Sequence, residues 1–423
     1  MAKISREISS SIVSTISREA IVGLGQIVLT PLFIIRFGQD DYTKWLTVLA
    51  YTSFIVLADF GLSTVIVGKL IFILEHFNTF DFPLLKWFKR RTLFLATCMA
   101  ITMAFFCAQK FPFRLDQSDY FNPNMQLYIA LTASSFITLS QHFWLYRLQI
   151  EGRAALGQKS LTVVRSVEIL TLALLLQMPL SISNFAWIFV FLKFLTYLFL
   201  RLSRKEFLNS VKVFDSVPDT TGLLLPAISN GFITAANLIS LHGSFIVASF
   251  WLDSPALIAI VIARMLASPI RILGTAITTA MLPFLIRAAH AKGFESQSRN
   301  LLNNLPRLSI SALLFGAGSL FIASKSLWNI LSHNLIQFNG ILVIWFIIAT
   351  LSDSILAIKF QRAIASNKAF VSGSVYLLVT VILTISQQYV GNLLGMIAVP
   401  ICITIADIMV ILYLYIREWL NAN

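Results

Sequence analysis

Residues 336–357 read IQFNGILVIWFIIATLSDSILA, and this stretch contains the feature that decides the fold. From Gly340 to Ala349 the chain has no polar side chain, and the flanking residues are mostly apolar. A helix needs about 20 largely apolar residues to cross the roughly 30 Å hydrocarbon core of a bilayer. The stretch therefore predicts a transmembrane helix.

The composition of the whole chain supports the same interpretation. Of 423 residues, 57% are hydrophobic and 12% are charged, and 35 are Phe. Soluble domains carry about 25% charged residues, so an ordinary soluble domain is excluded. Cys98, Cys107 and Cys402 lie in apolar runs without metal-ligand spacing, so we interpret them as small buried hydrophobes and expect no metal site.

Apolar runs of this length recur along the chain, and we predict an all-α polytopic membrane protein with about twelve transmembrane helices. The first is better explained as a retained span than as a cleaved signal, because no small-residue cleavage site follows it. The predicted spans are 16–36, 43–68, 92–109, 124–146, 160–178, 184–200, 223–250, 256–286, 307–324, 336–357, 369–387 and 392–416.

The distribution of Lys and Arg predicts the orientation. With the N-terminus inside, the cytoplasmic segments contain 23 cations, the outer segments contain five, and four fall within spans. Short cytoplasmic loops are enriched in Lys and Arg, so both termini are predicted to be cytoplasmic. The net charge of +13 is therefore mostly an orientation signal, and we expect no nucleic-acid partner.

The connecting loops leave little room for catalysis. The longest predicted outer loop runs only from about 109 to 123, and the inner side shows no nucleotide-binding loop or acidic metal-binding pair. We therefore expect no enzyme activity, no catalytic residue and no cofactor. Two inner segments, 84–91 and 201–221, combine basic and apolar residues and are predicted to lie on anionic membrane lipids.

A weak internal repeat occurs at about half the chain length. Phe37, Asp40 and Gly61 recur as identical residues 213 positions later, and Leu139 and Ser140 recur 212 positions later. Six spans per half give both halves the same orientation, which predicts two six-helix bundles related by a pseudo-two-fold axis along the membrane normal. The predicted domains are residues 1–200 and 222–423, joined by a cytoplasmic linker at 201–221.

The first two spans contain a pattern that is found in a known family. Pro31, Phe37-Gly38, Tyr42, Trp45 and the block Ala58-Asp59-Phe60-Gly61-Leu62 resemble the opening of bacterial polysaccharide flippases of the O-antigen (Wzx-like) type. These belong to the superfamily of multidrug, oligosaccharidyl-lipid and polysaccharide exporters, which also includes the lipid II flippase. The family often has Gly after the Tyr, whereas this chain has Thr43.

The resemblance implies a flippase that alternates its access between the two sides of the bacterial inner membrane. Its implied substrate is an undecaprenyl-diphosphate-linked oligosaccharide repeat unit of O-antigen or another surface polysaccharide, within lipopolysaccharide biosynthesis. It would move this unit from the cytoplasmic to the periplasmic leaflet, and it would associate with the polysaccharide polymerase and chain-length machinery.

Ionisable groups inside a membrane usually face a cavity or a partner. Arg264, Ser268 and Arg271 are spaced by four and three residues in the eighth span and so lie on one helix face. We predict that this face lines the lumen and that the two arginines bind the lipid-linked diphosphate or acidic sugars, because guanidinium groups suit bidentate contacts with phosphate. Structural pairing with carboxylates is the alternative. Lys193 and Asn237 are further substrate-binding candidates.

Four acidic residues are candidates for gating or ion coupling. The repeat places Asp59 within a residue of the position equivalent to Arg271, so the two charges could form a gate. Asp353 and Asp407 are candidate proton carriers, with satisfied structural carboxylates as the alternative, and Glu19 lies on a polar face of the first span. Arg165 and Glu168, three residues apart, are expected to neutralise each other.

Two other functions remain open at this stage. An ion-coupled multidrug extruder of the same fold would favour an acidic cavity, yet four embedded cations against five carboxylates is near balance. A membrane-embedded glycan polymerase or ligase would need a larger outer loop than this chain has.

Overall fold

The structure is a computed structural model, and it describes most of the chain. The described residues are 2–59, 63, 65–66, 69–70, 79–80, 82–111, 123–150, 154–202, 212–213, 224–290, 295–365 and 369–422. Most of the predicted linker 201–221 and residues 60–62 of the quoted motif lie outside them.

The described chain is almost entirely helical. The two short strands, β1 (Thr79–Phe80) and β2 (Lys212–Val213), pair in parallel. A 3₁₀ helix, Phe54–Asp59, follows α1, and a π-helical turn, Ile239–Gly243, separates α6 from α7. The α-helices are α1 (Ala2–Ser53), α2 (Phe82–Lys110), α3 (Pro123–Ile150), α4 (Ala154–Leu175), α5 (Ile182–Leu202), α6 (Leu224–Leu238), α7 (Ser244–Ala248), α8 (Ser254–His290), α9 (Glu295–Ser332), α10 (Gly340–Ala365), α11 (Phe370–Leu394) and α12 (Ala398–Ala422).

The first helix contains the first predicted span and the beginning of the second. Its backbone breaks at Gly38, where φ is 79° and ψ is 173°. This conformation is readily available to glycine only, because a Cβ clashes with the backbone there. The predicted loop between the first two spans is therefore reduced to one residue, and the chain is helical on both sides of it.

Eight regions of the described chain are long and apolar enough to cross a membrane. The regions Ala20–Asp59 and Phe370–Arg417 each overlap two of the predicted spans. Helices α3 and α4, which coincide with the fourth and fifth predicted spans, are not among the eight. A helical, multi-pass membrane protein is therefore confirmed, while the number twelve and the cytoplasmic termini stay predictions.

The described residues pack into two compact units. One contains residues 1–31 and 247–423, and the other contains residues 32–246. We call them the C-terminal unit and the N-terminal unit. This division follows packing and does not test the duplication, so the domain boundaries at 200 and 222 and the pseudo-two-fold axis stay predictions.

Helices α8 and α10 form the centre of the C-terminal unit. The buried face of α8 includes Ile258, Ile262 and Ile270, all fully buried. At Gly274 an added Cβ would lie 2.7 Å from Oγ of Ser354 on α10. Because only glycine permits this approach, the two helices lie close together at the depth where each carries charged residues.

An aromatic group organises the N-terminal unit near the beginning of α5. The Phe185 ring makes edge contacts with Phe33 and Trp45, at centroid distances of 5.0 and 5.6 Å. Arg36 donates from Nε to the Met178 carbonyl oxygen at 3.0 Å. These contacts attach α1 to the end of α4 and the start of α5.

Candidate functional site

A charged cluster lies inside the C-terminal unit. We call Arg264, Arg271, Asp353 and Asp407 the arginine–aspartate cluster. Arg271 lies close enough to Asp353 for the opposite charges to attract. The like charges of Arg264 and Arg271, and those of Asp353 and Asp407, lie close enough to repel each other. Helices α8, α10 and α12 thus bring together four residues that the sequence analysis had singled out separately. The formal charges of the cluster sum to zero.

Asp407 is the most enclosed member of this cluster. It is 1% exposed, and Ser352 on α10 donates a hydrogen bond to its Oδ2 at 2.9 Å. The hydroxyl of Tyr376 on α11 donates to its Oδ1 at 3.4 Å. Both carboxylate oxygens therefore have neutral donors, which suits a carboxyl group in a low-dielectric interior.

The two arginines are less enclosed than Asp407. Arg264, Ser268 and Arg271 are all half-buried and lie on one face of α8. The Ser268 hydroxyl donates to the Met265 carbonyl oxygen of its own helix at 2.7 Å. The two guanidinium groups are the charged donors on this face, whereas the Ser268 hydroxyl proton is already engaged by its own helix.

A second charged cluster lies inside the N-terminal unit. We call Arg165, Glu168 and Lys193 the lysine–glutamate cluster. Arg165 and Glu168 form an ion pair within α4 at 2.5 Å, which confirms the expectation that they neutralise each other. Thr196 on α5 donates to the second oxygen of Glu168 at 3.0 Å. Glu168 is 3% exposed, so its carboxylate is enclosed between the packed helices.

Lys193 occupies a mostly apolar environment in this cluster. It is 8% exposed; its Nζ donates to Oγ1 of Thr138 at 2.9 Å and lies 4.8 Å from the centroid of the Phe189 ring. Thr138 in turn donates to the Ser134 carbonyl oxygen at 2.9 Å. With one carboxylate for two cations, the cluster carries a formal charge of +1.

Asp59 is held separately at the end of the 3₁₀ helix. Its Oδ1 accepts from the backbone N–H of Ser63 at 2.9 Å, and its Oδ2 accepts from the Tyr146 hydroxyl at 3.2 Å. Asp59 belongs to the N-terminal unit and Arg271 to the C-terminal unit. The predicted gate between them stays a prediction.

The remaining candidates are placed only in part. Asn237 is half-buried and is the second-last residue of α6, just before the π-helical turn at Ile239–Gly243. Glu19 lies in α1, but its side chain falls outside the described part of the structure. Within the described residues, no group of three or more His, Cys, Asp or Glu side chains is arranged to hold a metal ion.

The structure identifies polar partners that the sequence analysis missed. Tyr376 and Ser352 hold Asp407, while Thr138 and Thr196 hold the lysine–glutamate cluster. The spacing of Lys193 and Thr196, three residues apart on one helix, was the one local signal available. The other contacts join different helices, so only the packing could reveal them.

Comparison with solved structures identifies the fold. A multidrug resistance MATE family transporter of the MOP superfamily, in an outward-facing conformation, has a TM-score of 0.53 at 13% identity over 98% of this chain and 95% of its own. A MOP superfamily transporter from Pyrococcus furiosus, described as having a binding pocket of reverse polarity, has a TM-score of 0.55 at 15% identity, covering 97% and 95%. The lipid II flippase MurJ, in an inward closed conformation, has a TM-score of 0.54 at 14% identity, covering 99% and 87%.

The chain has the fold of the MOP superfamily transporters. These solved proteins are transporters and a flippase rather than enzymes. No protein-family model matches the chain, and no curated protein sequence matches it at a significant level. A fold can serve several substrates, so the substrate must be argued from the site.

Proposed function

We propose that this protein is a flippase that moves an undecaprenyl-diphosphate-linked oligosaccharide repeat unit from the cytoplasmic to the periplasmic leaflet of the bacterial inner membrane. The observation that carries the proposal is the pair of half-buried arginines on α8. Arg264 and Arg271 share one helix face and interact electrostatically.

The geometry of this pair suits an anionic headgroup. Seven residues of α-helix place the two Cα atoms about 10.5 Å apart along the axis, and the long side chains can bring their guanidinium groups closer. Guanidinium donors form bidentate contacts with phosphate oxygens. Asp407, which would repel a diphosphate, is 1% exposed and is engaged by Ser352 and Tyr376. Asp353 on α10 is half-buried like the arginines and balances part of their charge, while α8 itself carries no carboxylate.

Two further substrate contacts belong to this proposal. Asn237 is half-buried, and an amide can both donate to and accept from sugar hydroxyls. Lys193 is enclosed at 8% exposure, so a role in binding requires that the surrounding helices move during transport. The polysaccharide polymerase and chain-length machinery would act on the product of translocation and are the proposed protein partners.

An ion-coupled multidrug extruder is the second candidate. The likeness to a MATE family transporter supports it. An extruder of cationic drugs would be served by Asp353 and the other carboxylates rather than by the arginines. The two functions therefore predict opposite outcomes when the arginines are changed.

The decisive test follows lipid-linked intermediates in cells. We expect deletion of the gene to cause accumulation of lipid-linked repeat units in the inner leaflet and loss of the surface glycan. Arg264→Lys combined with Arg271→Lys should reduce complementation at least tenfold at unchanged protein abundance. Arg417→Lys is the matched control, because Arg417 donates to Ser372 near the C-terminal end of α12, away from the two arginines of α8. Normal surface glycan in the deletion strain would refute the proposal, and increased drug sensitivity would favour the extruder.

A further inference from the structure

Helix α11 carries a buried polar face that the proposed function does not use. Tyr376, Thr380, Thr384, Gln387 and Gly391 are spaced by four, four, three and four residues, so they share one face of the helix. All five are buried, and Gln387 is 0% exposed. In a membrane protein such a face must find hydrogen-bond partners internally.

Several polar atoms on this face have no partner within the protein. They are Oγ1 of Thr380 and both Oε1 and Nε2 of Gln387. The indole Nε1 of Trp251 is also buried without a partner, and its ring lies against the same face, where an added Cβ at Gly391 would come within 2.5 Å of it. Buried polar groups are normally satisfied, and ordered water provides the bonds that protein groups do not.

The spacing of these groups suits one water molecule per gap. Neighbours four residues apart are separated by about 6 Å along the helix axis, and neighbours three apart by about 4.5 Å. A water molecule that makes two hydrogen bonds of about 2.8 Å bridges polar atoms about 5.6 Å apart. The face from Tyr376 to Gly391 extends over about 22 Å, which is most of the hydrocarbon thickness.

The two ends of this face lie in different surroundings. At one end, the Tyr376 hydroxyl donates to Oδ1 of Asp407. At the other end, Trp251 lies in the turn after α7, where its backbone N–H donates to the Ala248 carbonyl oxygen. The predicted orientation places that turn on the outer side of the membrane.

We propose that Trp251, Gln387, Thr384, Thr380 and Tyr376 line a single file of buried water that delivers protons from the outer side of the membrane to Asp407. Each water accepts a proton from its outer neighbour and donates one to its inner neighbour, and the last transfer places a proton on a carboxylate oxygen of Asp407. The file does not depend on which substrate the protein moves.

The groups that surround Asp407 define what a proton would meet there. Asp353 on α10 interacts with Asp407, as does Tyr376 on α11. On α8, Arg271 interacts with Asp353, and Arg264 interacts with Arg271. A proton on Asp407 would therefore shift the balance of the whole arginine–aspartate cluster towards positive charge.

Hydroxyl-radical footprinting of the full-length protein in nanodiscs tests the water file. Radicals generated from bound water label buried aromatic rings only where water is adjacent. We expect Tyr376 to be labelled at least fivefold faster than Tyr128, a buried tyrosine whose hydroxyl donates to the Ala100 carbonyl oxygen at 2.5 Å. Thr380→Val with Gln387→Leu should reduce the labelling of Tyr376 to the rate of Tyr128.

Two controls keep this test decisive. Thr404→Val removes a buried hydroxyl on α12 that already donates to the Pro400 carbonyl oxygen at 2.8 Å, and it should leave the labelling of Tyr376 unchanged. In Thr380→Ser, which keeps the hydroxyl, Tyr376 should be labelled at the wild-type rate. This variant provides the comparison if the double variant does not fold. Equal labelling of Tyr376 and Tyr128 in the wild type would overturn the file.

The rate of proton uptake after an acid pH jump tests delivery to Asp407. With the purified protein in nanodiscs, a pH-sensitive dye in the buffer and no glycolipid, we expect the wild type to show a rapid uptake phase that Asp407→Asn lacks and that is at least tenfold slower in Thr380→Val. Thr380→Ser should restore the rate. Equal uptake in all four proteins would overturn proton delivery. Because no glycolipid is present, this failure is distinguishable from failure of the proposed flippase function.

Discussion

The two charged clusters differ in how their charges are balanced. In the N-terminal unit, Arg165 and Glu168 touch at 2.5 Å within one helix, while Lys193 relies on a threonine hydroxyl and a phenylalanine ring. In the C-terminal unit, Asp407 is held by the neutral hydroxyls of Ser352 and Tyr376. The first cluster contains a direct ion pair, whereas in the second the hydrogen bonds to the most buried carboxylate come from neutral hydroxyls.

This difference predicts that the two clusters have different roles, one in stability and the other in transport. A buried ion pair that is satisfied on both sides mainly fixes helix positions, and breaking it leaves an uncompensated charge. Charges held by neutral donors can change partner or protonation state without dismantling the packing. We therefore expect loss of the Arg165–Glu168 pair mainly to lower stability, and changes in the arginine–aspartate cluster mainly to lower transport.

Glu168→Gln should have the largest effect on stability. The substitution leaves the buried Lys193 and the half-buried Arg165 without a carboxylate in the cluster. Breaking a fully buried pair costs about 3–5 kcal/mol, so we expect a loss of about 3 kcal/mol, at the lower end of this range. The chemical unfolding midpoint of the protein in bicelles measures this loss. Arg165→Gln added to Glu168→Gln should recover part of it, since one of the two uncompensated cations is then removed. An unchanged midpoint in the single variant would contradict the structural role.

Asp407→Asn should have a smaller effect on stability and a large effect on transport. Ser352 and Tyr376 donate to different oxygens of Asp407. Only one of them can still donate to the amide oxygen, while the other faces the amide NH₂ group, so we expect a loss of about 1 kcal/mol. Transport of the lipid-linked unit into proteoliposomes should fall about tenfold, because the amide cannot take up a proton. A transport rate equal to that of the wild type would assign Asp407 to structure alone.

Lys193→Met should leave the protein as stable as before or more stable. The variant removes the cation that gives the cluster its formal charge of +1 and leaves the Arg165–Glu168 pair intact. It also avoids the cost of keeping a charged ammonium in an apolar environment, and the flexible Met side chain can fill the space. Thr138 keeps its bond to the Ser134 carbonyl oxygen. A destabilisation comparable to that of Glu168→Gln would show that the ammonium is essential to the packing.

Asp41→Asn should have the smallest effect on stability of these variants. Asp41 and Lys44 form an ion pair at 2.8 Å, with side chains 41% and 42% exposed. Exposed pairs contribute about 0–1 kcal/mol to stability. The free energy of unfolding, measured from the unfolding midpoint, should therefore change by less than about 0.5 kcal/mol. A shift as large as that of Glu168→Gln would mean that burial does not separate these pairs.

Apolar runs predicted the class of fold well, because a bilayer requires long apolar helices that satisfy their own backbone hydrogen bonds. The pairing of Arg165 with Glu168 was also predictable, since residues three apart on a helix are neighbours. The convergence of Arg271, Asp353 and Asp407 was not, because it depends on the close approach of α8 to α10 at Gly274. The polar face of α11 was missed because its members are dispersed in a strongly apolar segment.

Binding of the lipid-linked unit to purified protein tests the central claim most directly. The claim is that Arg264 and Arg271 recognise the diphosphate of the substrate. In nanodiscs, we expect Arg264→Lys with Arg271→Lys to weaken binding of an undecaprenyl-diphosphate-linked oligosaccharide at least tenfold, with unchanged unfolding midpoint and with Arg417→Lys binding like the wild type. Wild-type affinity in the double variant would contradict the account.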